Sequence, residues 1–167
     1  MLRALAYTRP MPDPLAGSVL IRRATEADLP RVVELIHRGA WGESPENPGP
    51  PLPTSYYDAF RAIESDPGRA VMVAELNGGV VGTFQFAAIP NLSHEGRPLA
   101  QIESVHVDET LRSRGIGETM LRWAMDESRR RGCFRLQLTS NKGRKDAHRF
   151  YERLGFVASH EGMKLNL

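Results

Sequence analysis

"AQIESVHVDETLRSRGIGETMLRWAMDESRRR", residues 100–131, passes from a strand pattern to a helix pattern through a turn holding two arginines and two closely spaced glycines. A plain reversal needs one glycine, and a helix start prefers a Ser, Thr or Asp cap. The arrangement strand, glycine turn, helix also presents backbone N–H groups that have no partner inside the helix, at its partly positive end. Glycines at 115 and 117 let a ligand approach the backbone without meeting a Cβ. Arg112 and Arg114 add donors suited to phosphate oxygens. The turn therefore reads as a phosphate or pyrophosphate cradle. It lacks the Gly-Lys-Ser/Thr of a Walker loop. Met120 stands where a dinucleotide fingerprint needs a third small residue, and the turn lies far from the first βα unit.

Outward from this turn the pattern is that of one α/β domain. Ile116, Met120, Leu121 and Ala124 give the helix from about Gly115 to Arg131 a buried stripe, and Gly132 suits its end. "CFRLQLTS" (133–140) reads as a strand. "KGRKDAHRFYERLGF" (142–156) reads as a helix with Ala147, Phe150, Tyr151 and Leu154 on one face. A last β segment is expected to reach "MKLNL". Upstream, "RAVMVAELNGGVVGTFQFAAI" (69–89) is a hairpin pattern turning at Asn77-Gly78-Gly79. Val19–Arg22 reads as a short strand. Thr25 with Asp28 begins a helix carrying Leu29, Val32, Val33 and Ile36. A proline-rich loop (41–60) leads to a second helix near Tyr56–Glu64, and residues 1–18 read as an arm or tail.

The chain has 167 residues, 41% hydrophobic and 25% charged, which is ordinary for a globular domain able to bury its own core. No apolar run reaches the length of a membrane span. One cysteine, Cys133, gives neither an internal disulfide nor a zinc site, and a reducing cytoplasm is expected. The net charge of +2 argues against bulk nucleic-acid binding, but it is unevenly spread. Residues 111–153 hold 12 Lys/Arg against 5 Asp/Glu, and the remainder hold 10 against 15. One part suits a polyanion, the other a cation. Arg129, Arg130 and Arg131 read as a solvated helix face.

Two blocks in this order, "IESVHVDETLRSRGIG" and "NKGRKDAHRFYERLGF", resemble the GNAT superfamily of acyl-CoA-dependent N-acetyltransferases. The first fits a strand followed by Q/R-x-x-G-x-G/A, the second N-x-x-A-x-x-x-Y-x-x-x-G-F. The resemblance spans Val19 to Leu167 and implies an acetyltransferase domain over 19–167. The implied fold is a mixed, mostly antiparallel sheet, splayed at the centre, with flanking helices. The implied reaction moves an acetyl group from acetyl-CoA, a cosubstrate, directly to a primary amine, with no metal. Arg112, Arg114, Gly115, Ile116 and Gly117 would hold the CoA pyrophosphate. Val105 and Val107 would offer main-chain groups to the pantetheine arm. Asn141 would hydrogen-bond that arm, and Arg144 would meet the phosphate end. Tyr151 matches the tyrosine that gives a proton to the departing thiolate in many members.

Proton removal from the acceptor needs a base. Glu103 is the leading candidate, because a carboxylate inside "IESVHV" is costly unless it serves or is paired. Strict alternation places it with Gln101, Val105 and Val107, and His106 on the opposite face in a structural role. Pairing with an arginine is the rival role for Glu103, and core packing is the rival for Tyr151. Trp41, Tyr56 and Tyr57 either wall the acceptor site or anchor the proline-rich loop. His94 and His160 are candidates for that pocket, His148 for the CoA phosphates, and His37 for a place on the first helix. Cys133 is not expected to act as a nucleophile. The expected acceptor is a small molecule, with a cationic one favoured by the charge balance. A homodimer is possible, and neither a nucleic-acid nor a membrane partner is expected. A non-catalytic acyl-CoA-binding module would keep the cradle without Glu103 or Tyr151, and a basic module around "RRRGCFR" lacks a recognition-helix pattern.

Overall fold

In the computed structural model, which describes residues 18–166, the hairpin turn Asn77-Gly78 takes positive φ at both positions (52° and 79°). That geometry matches the twist of the strands it joins. It connects β2 (Arg69–Leu76) to β3 (Gly79–Ile89). β1 (Leu20–Arg23) pairs antiparallel with β2, and β4 (Leu99–Val107) pairs antiparallel with β3. β5 (Arg135–Gln137) runs parallel to β4, giving the order β1-β2-β3-β4-β5. The sheet is mixed and mostly antiparallel, as the sequence predicts.

Alternation along β2 divides the core between two layers. Ala70, Met72, Ala74 and Leu76 join the cluster under α4 (Ile116–Arg130), with Phe84, Phe86, Ala100, Ile102, Ile116, Met120, Leu121 and Ala124. Val71 and Val73 face the other way, against Leu29 and Val32 of α1 (Leu29–Gly39) and Phe60 of α2 (Thr54–Glu64). Each large apolar side chain enclosed here contributes on the order of 1.5–3 kcal/mol. Trp123 sets its ring edge-on against Phe84 and Phe86, with centroids 5.7 and 5.9 Å away. The expected capping box opens a single 3-10 turn, Glu26–Asp28, that leads directly into α1: the Thr25 N–H donates to the Asp28 carboxylate at 2.7 Å, and Arg22 clamps that carboxylate. A single turn, α3 (Ser93–Gly96), precedes β4, and α5 (Lys145–Arg153) packs Phe150, Tyr151 and Leu154 against the α4 cluster.

β4 and β5 share only three rungs, from Leu99↔Arg135 to Gln101↔Gln137. β4 then runs on to Val107 with no partner on that side among the described residues, so the sheet opens between its two parallel strands. The final β segment expected at "MKLNL" does not form. Residues 157–166 carry no strand, and Val157, Met163 and Leu165 are exposed. Residues 1–17 of the expected N-terminal arm lie outside the described residues.

Candidate active site

The open end of the sheet is a cleft of about 1350 Å³, bordered by the outer half of β4, the first turn of α4, the length of α5 and the end of α1. Its floor is set by the exit from β4. Asp108 donates its N–H to the Val81 carbonyl and accepts from Arg31, while its carboxylate caps Thr110. Those bonds hold the Asp108 carboxyl down at about 2, the Thr110 hydroxyl and N–H contributing most. The chain then passes through Arg112, Ser113 (φ 63°) and Gly115 (φ 78°), and the Gly115 carbonyl receives the first helical bond from Thr119. The N–H groups of Ile116, Gly117 and Glu118 thus have no acceptor within the helix.

The two glycines differ. Gly115 is required for its left-handed backbone. Gly117 lies against Phe150, where a Cβ would meet the ring at 3.4 Å, close to ordinary van der Waals contact. Arg112 and Arg114 are exposed and have no carboxylate partner among the described residues. Arg112 borders the cleft and Arg114 stands just outside its lining.

β4 departs from the strict alternation expected of it. Glu103 pairs with Gln85, yet His106 pairs with Thr83, so one extra residue is accommodated where Ser104 takes φ 50°. This β-bulge changes the parity of the strand. Val105 and Val107 therefore turn toward the α4 cluster. Glu103 and His106 share the opposite face, against α1, correcting the assignment of His106 to the other side from Glu103. His106 packs so tightly on the end of α1 that a Cβ at Gly39 would lie 2.0 Å from its Nδ1. Burial, followed by the charges of Arg144 and Arg112, lowers its pKa to about 4, with Glu46 opposing. Glu103 is exposed and lies outside the lining of the cleft. It accepts from Gln101, whose amide oxygen in turn accepts from Gln137 at 3.1 Å.

Tyr151 borders the cleft from α5, braced by Phe150 and Phe156, with ring centroids 5.3 and 5.9 Å away. Burial raises its pKa, Arg144 working against that, so the phenol stays protonated at neutral pH. Its hydroxyl has no partner among the described residues and is not sealed from solvent. Arg144 lines the cleft beside it, also without a carboxylate. Asn141 lies outside the lining and shapes the approach to α5: its Oδ1 accepts from Gly143 at 2.8 Å and its carbonyl from Arg144 at 3.0 Å. Trp41, at the cleft mouth, rests on Gly143, where a Cβ would come within 2.9 Å of the indole.

The other candidates lie elsewhere. His94 stacks on Phe134 at 3.7 Å, His148 bonds the Asn141 carbonyl and His37 the Glu46 carbonyl, while His160 meets Ser159. Tyr56 anchors the proline-rich loop by donating to Glu46 at 2.7 Å, and Tyr57 packs on the α1–α2 core. Burial pushes the Cys133 thiol up, and it is not part of the cleft. Sequence reasoning missed the position of His106, and its signal was slight: a polar residue three places from Glu103, in a strand otherwise read by strict alternation.

A family model described as Acetyltransferase (GNAT) family matches residues 34–156. An aminoalkylphosphonate N-acetyltransferase of Salmonella typhimurium is 35% identical over 106 residues, 64% of this chain and 68% of its own length. A glucosamine 6-phosphate N-acetyltransferase of Trypanosoma brucei brucei is 33% identical over 90 residues, 54% of this chain and 59% of its own. The crystal structure of a Bacillus halodurans C-125 protein described as a transcriptional regulator superposes with a TM-score of 0.86. It shares 41% identity, covering 89% of this chain and 99% of that one.

Proposed function

This chain belongs to the GNAT family of acyl-CoA-dependent acetyltransferases, and on that premise we propose that it moves an acetyl group from acetyl-CoA directly to the primary amine of a small molecule. A single domain, residues 19–167, carries the reaction. The observation that bears most weight is the edge of β4 beyond Gln101, unpaired among the described residues and running from the bulge to the glycine turn with Tyr151 in the same cleft. The pantetheine arm lies along that edge, bonded to main-chain groups at Val105 and Val107. The pyrophosphate sits on the N–H groups of Ile116 and Gly117, with Gly115 setting the turn. Arg112, Arg114 and Arg144 supply charge to the phosphates. A free N–H on the same edge meets the thioester oxygen as negative charge develops there. Asn141 adds an amide donor near the arm.

Tyr151 gives its proton to the departing thiolate, a role its raised pKa supports. Glu103, held by Gln101, draws the ammonium of the acceptor onto the α1 face of β4. Two relatives are named for acceptors that pair an amine with a phosphonate or phosphate. Such compounds head the acceptor screen, ahead of the polyamines and aminoglycosides favoured by charge balance alone. The helix arginines that a polyanionic nucleic acid would need are engaged with carboxylates on α4, which supports a small acceptor.

The test is calorimetric titration with acetyl-CoA against ATP, followed by thiol release with 2-aminoethylphosphonate, glucosamine 6-phosphate, spermidine and an aminoglycoside. Micromolar acetyl-CoA affinity and amine-dependent thiol release are expected. Folded protein that binds acetyl-CoA no better than ATP would overturn the reading. Tyr151→Phe is expected to lower kcat by about 100-fold with acetyl-CoA affinity unchanged. Unaltered turnover would remove Tyr151 from the mechanism.

A further inference from the structure

The bulge at Ser104 brings His106 to the face where the acceptor amine would arrive, and its side chain borders the cleft that Tyr151 also lines. Neither ring nitrogen has a hydrogen-bond partner among the described residues, and neither is sealed from solvent. Gly39 of α1 packs closely against the ring, and His106 also lines the cleft.

The charges facing this ring come from every element around it. α1 contributes Arg38, paired with Glu34, and His37, bonded to a carbonyl. The following loop contributes Glu46, engaged by Tyr56. β4 contributes Glu103 on the same face. The glycine turn and the start of α5 contribute Arg112 and Arg144, both without carboxylate partners among the described residues, and both disfavour a proton on the ring. These are two of the residues assigned above to the CoA phosphates. An anion arriving there cancels part of the field that keeps the imidazole from taking a proton.

We propose that His106 is a catalytic residue that takes a proton from the ammonium of the acceptor, and that bound CoA readies it for this by engaging Arg112 and Arg144. The inference rests on the acetyl-transfer reading and deepens it. His106 accepts one proton from R–NH3+. The free amine attacks the thioester carbonyl carbon, forming the C–N bond. As the C–S bond breaks, the thiolate takes the Tyr151 proton, and the nitrogen gives up its second proton to restore the phenol. The products are the amide and CoA thiol, and the proton on His106 passes to water.

Two measurements test this. In the first, NMR follows the His106 imidazole, assigned by its loss in His106→Asn, through a pH titration of the free protein and of its complex with desulfo-CoA. The ring is expected to titrate near pH 4 when free and upward by about one unit or more with desulfo-CoA bound. A titration unmoved by bound desulfo-CoA overturns the coupling.

In the second, pH–rate profiles are taken with whichever amine the screen identifies. His106→Asn is expected to lower kcat by about 100-fold and to lose the acidic limb, with acetyl-CoA affinity held within about twofold. Gly39→Ala leaves the imidazole chemically intact but displaces it, and should also depress kcat. If His106→Asn is folded, binds acetyl-CoA and keeps kcat within about threefold of wild type, His106 is not the base. Failure of wild type to bind acetyl-CoA would instead bring down the acetyl-transfer reading itself.

Discussion

Arg112 and Arg114 stand at one end of α4, and Arg129, Arg130 and Arg131 at the other, yet the two groups are placed in opposite ways. Those at the C-terminal end are engaged by acids of the same helix: Arg129 by Asp126 at 2.7 Å, Arg130 and Arg131 by Glu127 at 2.6 Å each. Those at the N-terminal end have no carboxylate among the described residues. Cations at a helix C-terminus are favourable with or without a ligand. Cations gathered at a helix N-terminus oppose the dipole and have reason to stay only if an anion joins them. Arg22, held between Asp28 and Glu75 at 2.7 Å each, is the fully satisfied extreme of the first kind.

The largest test of this contrast removes the turn that arranges the unpaired arginines. Gly115→Val forces a β-branched residue into φ 78° and places side-chain atoms where the phosphates must approach. Acetyl-CoA affinity by calorimetry is expected to fall at least about 100-fold. Arg112→Gln removes one charge and leaves the turn, and a loss of about 10- to 100-fold is expected from one charge-assisted contact. Equal affinity in Arg112→Gln would remove Arg112 from the phosphate site and leave the anion to the backbone with Arg114 and Arg144.

Asp28→Asn probes the satisfied extreme through stability. The Asp28 carboxyl is held down to about 2, chiefly by Arg22, so the folded state binds that proton less tightly than the unfolded chain does. Its contribution is complete above about pH 4 and is lost as the pH falls toward 2. Urea unfolding at pH 7 is expected to show a loss of about 1–3 kcal/mol, and the gap from wild type should close in acid. A gap that widened in acid would contradict the pairing. The smallest effect belongs to Arg129→Ala, which should leave acetyl-CoA affinity intact and Tm within about 1 °C.

What the sequence disclosed was local. Asn77-Gly78 specified a hairpin because few other pairs tolerate two positive φ angles, and Thr25 with Asp28 announced α1 because the capping box closes within four residues. The glycine turn was visible for the same reason, since Gly115 takes a positive φ. The bulge was not visible: Ser104 has no intrinsic preference for φ 50°, and only its pairing with β3 imposes it. Alternation therefore gave the correct faces up to Glu103 and the wrong one for His106. The contacts of His106 with Gly39 and of Trp41 with Gly143 join residues far apart in the chain, beyond the reach of any periodicity. The expected last strand failed for a similar reason, since alternating Met163 and Leu165 cannot supply the neighbour they would pair with.

The seat of Trp41 on Gly143 has an optical consequence. The chain has two tryptophans. One indole is 60% exposed at the cleft mouth; the other, Trp123, is half-buried edge-on to Phe84 and Phe86. Their emission and their access to a soluble quencher must differ, so a single unlabelled sample carries two independent signals. The outer indole registers what enters between α1 and α5, and the inner one registers whether the sheet still holds its helix.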